Sequence, residues 1–287
     1  MINILNKYKI NHAEFFEVLK ASTMHVNFLQ IKGRLGFTLA EVLITLGIIG
    51  VVAAITIPNL IANHQKKAIV SGMIEAQSIL NQALRSYAYD SDEDGTQSFE
   101  TTLPIKEFAE KYFVPYLKIA RICENMEDGC WQTGDFHGYY DLAGVKMTDT
   151  VPYSIVLNNG MILGFNKLEG GDYALISILV DTNGKGKRNV LGKDVQSFYL
   201  YQEESKRPGG IYSSSMKNGI YPGGYDAGGV PHVERTREAL LSTRVSRGCN
   251  KGATSDAYEG NRVGVGAACA AVIFKDGWKI SNDYPWN

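Results

Sequence analysis

The hydrophobic pattern of the chain changes period along its length. From Phe37 to Ile57 nearly every position is apolar, and no Asp, Glu, Lys or Arg lies between Glu41 and Lys66. As a helix rising about 1.5 Å per residue, that run covers about 31 Å, enough to cross a hydrocarbon core. Beyond Pro58 the pattern turns amphipathic. Ile69, Met73, Ala76, Leu80, Ala83 and Tyr87 recur at three- and four-residue spacing, which predicts one apolar stripe on a helix reaching about Tyr89. The segment "IKEFAEKYFVPYLKIARIC" (Ile105 to Cys123) predicts a short amphipathic helix broken by Pro115, with its aromatic residues in the core. From Val151 the period becomes two. "VPYSIVLNNGMILGFN" predicts a hairpin turning at Asn158, Asn159 and Gly160, and Tyr173 to Asp181 and Asp194 to Glu203 supply further strands. Pro208 to Gly229 reads as a long surface loop, Val233 to Val245 as a helix, and "CAAVIFKDGWKI" as a final strand. The order of elements is that of an α+β fold, a long N-terminal helix followed by an antiparallel sheet.

Composition narrows the picture. A chain of 287 residues, 45% hydrophobic and 21% charged, can build a substantial core. A formal net charge of −1 excludes a protein that coats nucleic acid, whose phosphate contacts require a marked basic excess. Four cysteines fall as two local pairs, Cys123 with Cys130 and Cys249 with Cys269. Neither pair has the tight spacing of a structural zinc knuckle. In a domain that leaves the cytoplasm they predict two local disulfides, with free structural thiols as the alternative.

One carboxylate, Glu41, stands near the start of the apolar run. Lys20, Lys32 and Arg34 precede that run, so the positive-inside rule keeps this end in the cytoplasm and exports the large C-terminal part. A cleaved secretory signal wants a shorter apolar core and a small-x-small site, which Ala53 and Ala54 only imitate. A plain anchor fits length and flanks but leaves Glu41 unexplained.

Gly36, Phe37, Thr38, Leu39, Ala40 and Glu41 resemble the processing site of type IV prepilins and type II secretion pseudopilins. In that family a membrane aspartyl peptidase cuts after the glycine and methylates the new N-terminal residue, commonly phenylalanine. The resemblance implies cleavage between Gly36 and Phe37. It makes Glu41 the fifth mature residue, where the family has its glutamate, and Pro58 the twenty-second, where proline is frequent. The implied leader, residues 1–36, is long for the family, and Met24 offers a second start with the leader "MHVNFLQIKGRLG". Residues 1–23 carry no functional weight.

The motif has a physical reading. A carboxylate within the membrane costs about 2.5–3.5 kcal/mol on insertion scales and calls for a partner. Cleavage creates one, the α-ammonium of Phe37. An axially displaced neighbour that brings its ammonium to this Glu41 would fix the stagger between subunits, as a buried polar residue fixes register in a coiled coil. The alternative is a Glu41 solvated at the bilayer edge. Pro58 lacks an amide hydrogen and predicts a kink or locally melted segment, while Gly47 and Gly50 allow close helix contact.

Metal and enzyme chemistry leave weaker marks. "DSDEDG" (Asp90 to Gly95) begins like an EF-hand loop, but Glu100 falls at the eleventh place and Thr101 at the twelfth. A solvated acidic turn is preferred there, and Asp90, Asp92 and Asp94 remain calcium candidates. In "DTNGKGKRNVLGKD", Asp181, Asn183 and Asp194 flank a glycine turn whose Lys185, Lys187 and Arg188 weigh against a calcium cage, so turn chemistry is preferred. Five histidines form no metal-binding spacing, and no nucleophile elbow or phosphate loop occurs. Ser214 and Lys217 make an S-x-x-K tetrad without its companion motifs.

The resemblance thus implies a pilin-like fold. A helix would span the membrane over 37–61, continue amphipathically over 62–89, and lie on the antiparallel sheet of an exported head, 90–287. It implies no enzyme and no cofactor other than the calcium considered above. The implied function is a structural subunit of a type II secretion pseudopilus or type IV pilus, held in the bacterial inner membrane by a single pass. Its implied partners are prepilin peptidase, other pilins or pseudopilins, the inner-membrane assembly platform and the membrane itself. No nucleic acid is expected unless the chain is a DNA-uptake pilin. A minor pilin whose head is an adhesin or DNA-binding module is the alternative, and a membrane-anchored exported enzyme the third reading.

Overall fold

The computed structural model describes residues 36–91, 99–124, 130–133, 136–147, 151–170, 173–184, 189–202, 218–224, 235–244, 247–253 and 264–285. The chain divides into two compact units, the first ending at Thr56 and the second running from Ile57 to Asn287. Helix α1 (Leu39–Asp90) contributes to both. In the first unit its large apolar side chains, among them Leu43, Ile44, Ile48, Ile49 and Ile55, are exposed. The polar atoms on this stretch turn inward to the backbone: Thr45 Oγ1 donates to the Glu41 carbonyl (2.9 Å) and Thr56 Oγ1 to that of Val52 (2.9 Å). Such back-bonding keeps a hydroxyl satisfied where water is scarce.

The second unit is built on a six-stranded antiparallel sheet. Its first strand in chain order is β1 (Ile119–Glu124), and two two-stranded ribbons follow before the sheet resumes: β2 (Gln132–Thr133) with β3 (Phe136–His137), and β4 (Tyr139–Tyr140) with β5 (Lys146–Met147). β6 (Tyr153–Leu157), β7 (Ile162–Gly170), β8 (Tyr173–Asp181), β9 (Val195–Tyr201) and β10 (Gly219–Pro222) complete it, in the spatial order β1-β6-β7-β8-β9-β10. The β6–β7 turn forms at Asn158, Asn159 and Gly160, where Gly160 takes φ +88 and Asn159 Oδ1 accepts from the Met161 amide (3.1 Å). Glycine meets that φ without the steric cost a side chain would carry.

The α1 stripe of Ile69, Met73, Ala76, Leu80, Ala83 and Leu84 is buried, in one cluster with Ile155, Leu163, Phe165, Ile176, Ile178, Val180, Phe198 and Ile220 of the sheet. Helix α2 (Ile105–Tyr112) adds Phe108 and Tyr112 to the same core. On the opposite face, Ile162, Leu175, Leu179, Val195, Tyr199 and Tyr201 pack with Trp131, Tyr139, Met147 and Ala267. Both faces of the central strands are therefore dry, which is why "YALISILV" reads as a near-continuous apolar run.

Polar side chains finish the edges. Asn81 of α1 grips β10 as a paired strand would: Ile220 N–H donates to its Oδ1 (2.9 Å) and its Nδ2 donates to the Ile220 carbonyl (2.9 Å). Gln77 Nε2 reaches the same carbonyl (3.1 Å). At the far end, Gln202 takes the Phe99 amide (2.8 Å).

Four elements differ from the sequence expectation. The helix expected over Ile105–Cys123 ends at Tyr112; a 3-10 turn at Val114–Tyr116 carries Pro115, and the residues beyond it pair with β6 as β1. Proline supplies no donor for a continuing helix, and the open edge of β6 offers the alternative ladder. The tract expected as a loop over Pro208–Gly229 contains β10, held by β9 and by Asn81. The helix expected over Val233–Val245 is α3 (Arg237–Leu241), capped by Thr236 Oγ1, which accepts from the Ala239 amide (3.2 Å). The final strand is instead α4 (Cys269–Lys275). Its first five residues are all buried, which an alternating strand does not demand, and "KDG" is its stop: Gly277 takes φ +67 while Trp278 N–H bonds the Ile273 carbonyl (2.9 Å) and Gly277 N–H that of Phe274 (3.1 Å). That pair of bonds is a Schellman ending.

Packing around β7 is tight enough to test. A Cβ at Gly164 would lie 2.5 Å from both Trp131 Cζ2 and Val151 Cγ1. Gly164→Ala should cost about 1–3 kcal/mol by forcing the indole or the strand to move. Denaturant unfolding of the purified protein measures this, and an unshifted midpoint would show that the indole is not wedged against the strand.

Candidate functional site

The helix entrance is where the sequence concentrated its candidates, and the structure orders them as follows. Gly36 and Phe37 precede α1, Phe37 is 88% exposed, and nothing lies within 4 Å of a Cβ built on Gly36. The peptide bond joining them is thus on an accessible, non-helical stretch, the form a protease requires. One residue later Thr38 begins a reciprocal cap. Its Oγ1 accepts from the Glu41 amide (3.2 Å), while Glu41 Oε2 accepts from the Thr38 amide (2.8 Å) and from Thr38 Oγ1 (2.7 Å). This is a capping box, which satisfies donors that a helix start leaves orphaned.

Sequence reasoning missed that arrangement, although Thr38-x-x-Glu41 just before an apolar run is its signature. The carboxylate therefore has partners inside its own chain before any neighbour arrives. Pro58 lies within α1, and the helix runs through it rather than melting locally as the sequence reading allowed. Proline leaves one carbonyl of the preceding turn without its usual donor.

The other candidates lie in the second unit. Cys123 is bonded to Cys130 and Cys249 to Cys269. The first bond ties β1 to Cys130, next to Trp131, whose Nε1 donates to Ser154 Oγ (2.8 Å). The second ties Cys249, whose amide bonds the Leu240 carbonyl (2.7 Å), to the start of α4. Behind α4 the C-terminal segment is anchored by Arg237, which binds both carboxylate oxygens of Asp276 and of Asp283. The guanidinium holds both carboxyls below their usual range. Tyr284 donates its buried hydroxyl to the Gly192 carbonyl.

Asp90 is the last residue of α1 and faces the Tyr116 hydroxyl, which burial and that carboxylate push up from its ordinary pKa. Asp92 and Asp94 lie outside the described residues, as do Ser214 and Lys217, residues 1–35 of the leader with Met24, and the cationic residues Lys185, Lys187 and Arg188. Asp181 and Asp194, by contrast, are both buried and share Asn183, which bonds each of them. Burial pushes the Asp181 carboxyl up to about 7; the amides of Asn183 and Gly184 oppose this, and Asp194 adds to it. Turn chemistry is thus present in this loop. Among the described residues no group of three His, Cys, Asp or Glu side chains gathers as a metal site. A cleft lined by Asn81, Leu84, Arg85, Phe99 and Gly219 holds about 150 Å³, below the range of small-molecule sites.

Comparison with known proteins assigns the two parts separately. Residues 31–57 match the prokaryotic N-terminal methylation motif, the prepilin-type signature. Residues 59–287 match the Family of unknown function (DUF6613). No curated protein and no solved structure matches the chain. The two matches meet at Pro58, beside the division between the two compact units. The apolar first half of α1 thus carries a pilin-type processing motif, the remainder is an α+β head of pilin-like layout, and the chain belongs to the Family of unknown function (DUF6613).

Proposed function

We propose that the chain is a structural subunit of a type II secretion pseudopilus or type IV pilus. Prepilin peptidase would cut it after Gly36, methylate Phe37, and so release a subunit that assembles through α1. One observation carries this reading: α1 is long and apolar enough to cross a membrane, has no buried residue along that apolar window, and follows an accessible Gly36–Phe37 bond. In the proposal, residues 1–36 are the leader, 37–61 the membrane and filament-core segment, 62–89 the helix of the head, and 90–287 the exported domain. The two disulfides support export, since such bonds persist in oxidising compartments. Anchoring is then single-pass in the bacterial inner membrane, with the assembly platform and other pilins as partners. The work of the protein is mechanical, with no catalytic residue and no cofactor needed for it.

Glu41 has two successive roles in this scheme. In the unprocessed chain it closes the capping box with Thr38. After cleavage, the α-ammonium of Phe37 on a staggered neighbour competes for the same oxygens and offers a full charge in place of neutral donors.

N-terminal mass spectrometry of the membrane-extracted protein should find a chain beginning with N-methylated Phe37. Gly36→Val should retain the leader and be missing from filaments. An unprocessed wild-type N-terminus would sink the proposal. Glu41→Gln keeps an acceptor for Thr38 but removes the charge. It should be cleaved normally yet enter filaments poorly, and normal filaments from this variant would refute the ion-pair role.

A further inference from the structure

An asparagine followed by glycine is the pair at which a peptide chain most readily attacks itself, because glycine places no side chain beside its own nitrogen. The chain has three such pairs, Asn159–Gly160, Asn183–Gly184 and Asn218–Gly219. The first two differ in what holds the glycine nitrogen. Gly160 N–H donates to the Leu157 carbonyl (2.9 Å), a neutral acceptor that pins the nitrogen and takes no proton from it. Gly184 N–H donates instead to a carboxylate oxygen, Asp181 Oδ1 (3.0 Å). The carboxamide of Asn183 is held from the other side, its Nδ2 donating to Asp194 Oδ2 (3.2 Å). In this pair the attacking nitrogen and the leaving nitrogen each touch a carboxyl group.

The surroundings suit both carboxyls to proton transfer. Asp181 is buried, and its Oδ2 is sealed from solvent without a hydrogen bond. An anion so poorly solvated holds a proton more firmly: burial pushes Asp181 up to about 7, and it pushes Asp194 up as well. Near neutrality one of the two can therefore be ionised while the other carries a proton, which is the condition for concerted acid and base work. Asn183 itself is exposed, so water reaches its carboxamide carbon. Gly184 takes φ +66, and a Cβ on it would lie 2.4 Å from the Gly160 carbonyl oxygen. The fold thus demands at this place the one residue that leaves its nitrogen unhindered.

We propose that Asn183–Gly184 is a self-modification site, at which Asp181 as base and Asp194 as acid close a succinimide that opens to aspartate or isoaspartate. The Gly184 nitrogen attacks Asn183 Cγ, forming a C–N bond and passing its proton to Asp181 Oδ1. In the tetrahedral adduct Nδ2 has become an amine. It takes a proton from the Asp194 carboxyl, the Cγ–Nδ2 bond breaks, and ammonia leaves. Ring closure needs no outside reagent. Water then adds to either imide carbonyl, giving aspartate by one opening and, by the other, isoaspartate with the chain routed through the former side chain. Both products set a new carboxylate near Asp194 in place of the amide donor, so that like-charge repulsion replaces a hydrogen bond. The same loop is a seat of α1, since a Cβ on Gly72 would lie 2.9 Å from Thr182 Cβ. The modification would date a subunit and loosen its loop against the helix.

The test is peptide mass spectrometry of the full-length protein in detergent micelles, warmed at neutral pH over days in heavy-oxygen water. The folded chain should modify Asn183 about tenfold faster than the chain unfolded in guanidinium, with loss of ammonia followed by uptake of one heavy oxygen. Asn159 should show the reverse order, slower when folded. Asp181→Asn should slow the folded reaction at Asn183 by about a hundredfold and Asp194→Asn by about tenfold. The proposal is overturned if folded Asn183 stays intact or reacts no faster than in guanidinium, the result expected of carboxylates that only pin the turn. It is equally overturned if the folded rate survives in Asp181→Asn. Should that variant fail to fold, the comparison of folded with unfolded wild type decides alone.

Discussion

The large apolar side chains of α1 from Leu39 to Ile61 are exposed among the described residues, and the rest of the molecule answers to that fact. A helix with Leu43, Ile44, Ile48, Ile49, Val52 and Ile55 all in the open must be covered by hydrocarbon or by other helices. Its few polar atoms are arranged for such surroundings. Thr45 and Thr56 spend their hydroxyls on the backbone of the preceding turn, and Thr38 and Glu41 close the helix start between themselves.

The second half of the helix obeys the opposite condition. There Met73, Ala76 and Leu80 lose all exposure against the sheet, and small residues at Gly72 and Ala76 let backbone and strand approach closely. Because the sheet's far face is also covered, its strands are fixed from both sides, and register is strongly specified. The two disulfides tie the end of β1 and the start of α4 into these cores, and the Arg237 carboxylate pairs hold the C-terminal segment.

Much of this was legible in the residues. The apolar run, the amphipathic stripe and the β6–β7 turn follow from period and turn chemistry, because each is a local signal. The failures have a common origin in tertiary context. "CAAVIFK" is apolar in either conformation, and only the glycine stop at Gly277 distinguishes helix from strand. β10 is four residues in a glycine-rich tract, and it exists because β9 and Asn81 supply its hydrogen bonds from far away in sequence. At the helix entrance, the positions of Gly36, Phe37 and Glu41 could be read, but attention to Glu41's charge hid its capping role. Asp181, Asn183 and Asp194 could be read together as turn chemistry, but the burial of the two carboxylates could not, since burial is decided by elements that the loop itself does not contain.

Asn81 has a further consequence for the edge of the sheet. A sheet edge with free amides and carbonyls is a template on which another copy can add a strand, and crowding in a membrane raises that hazard. By occupying both backbone groups of Ile220, the carboxamide ends the sheet at β10 with a group that cannot be extended. At the other margin, exposed Arg121 and Glu124 put charge on β1. Among the described residues the head's sheet is thereby closed to strand addition at β10 and charged at β1, whereas the apolar first half of α1 is left bare.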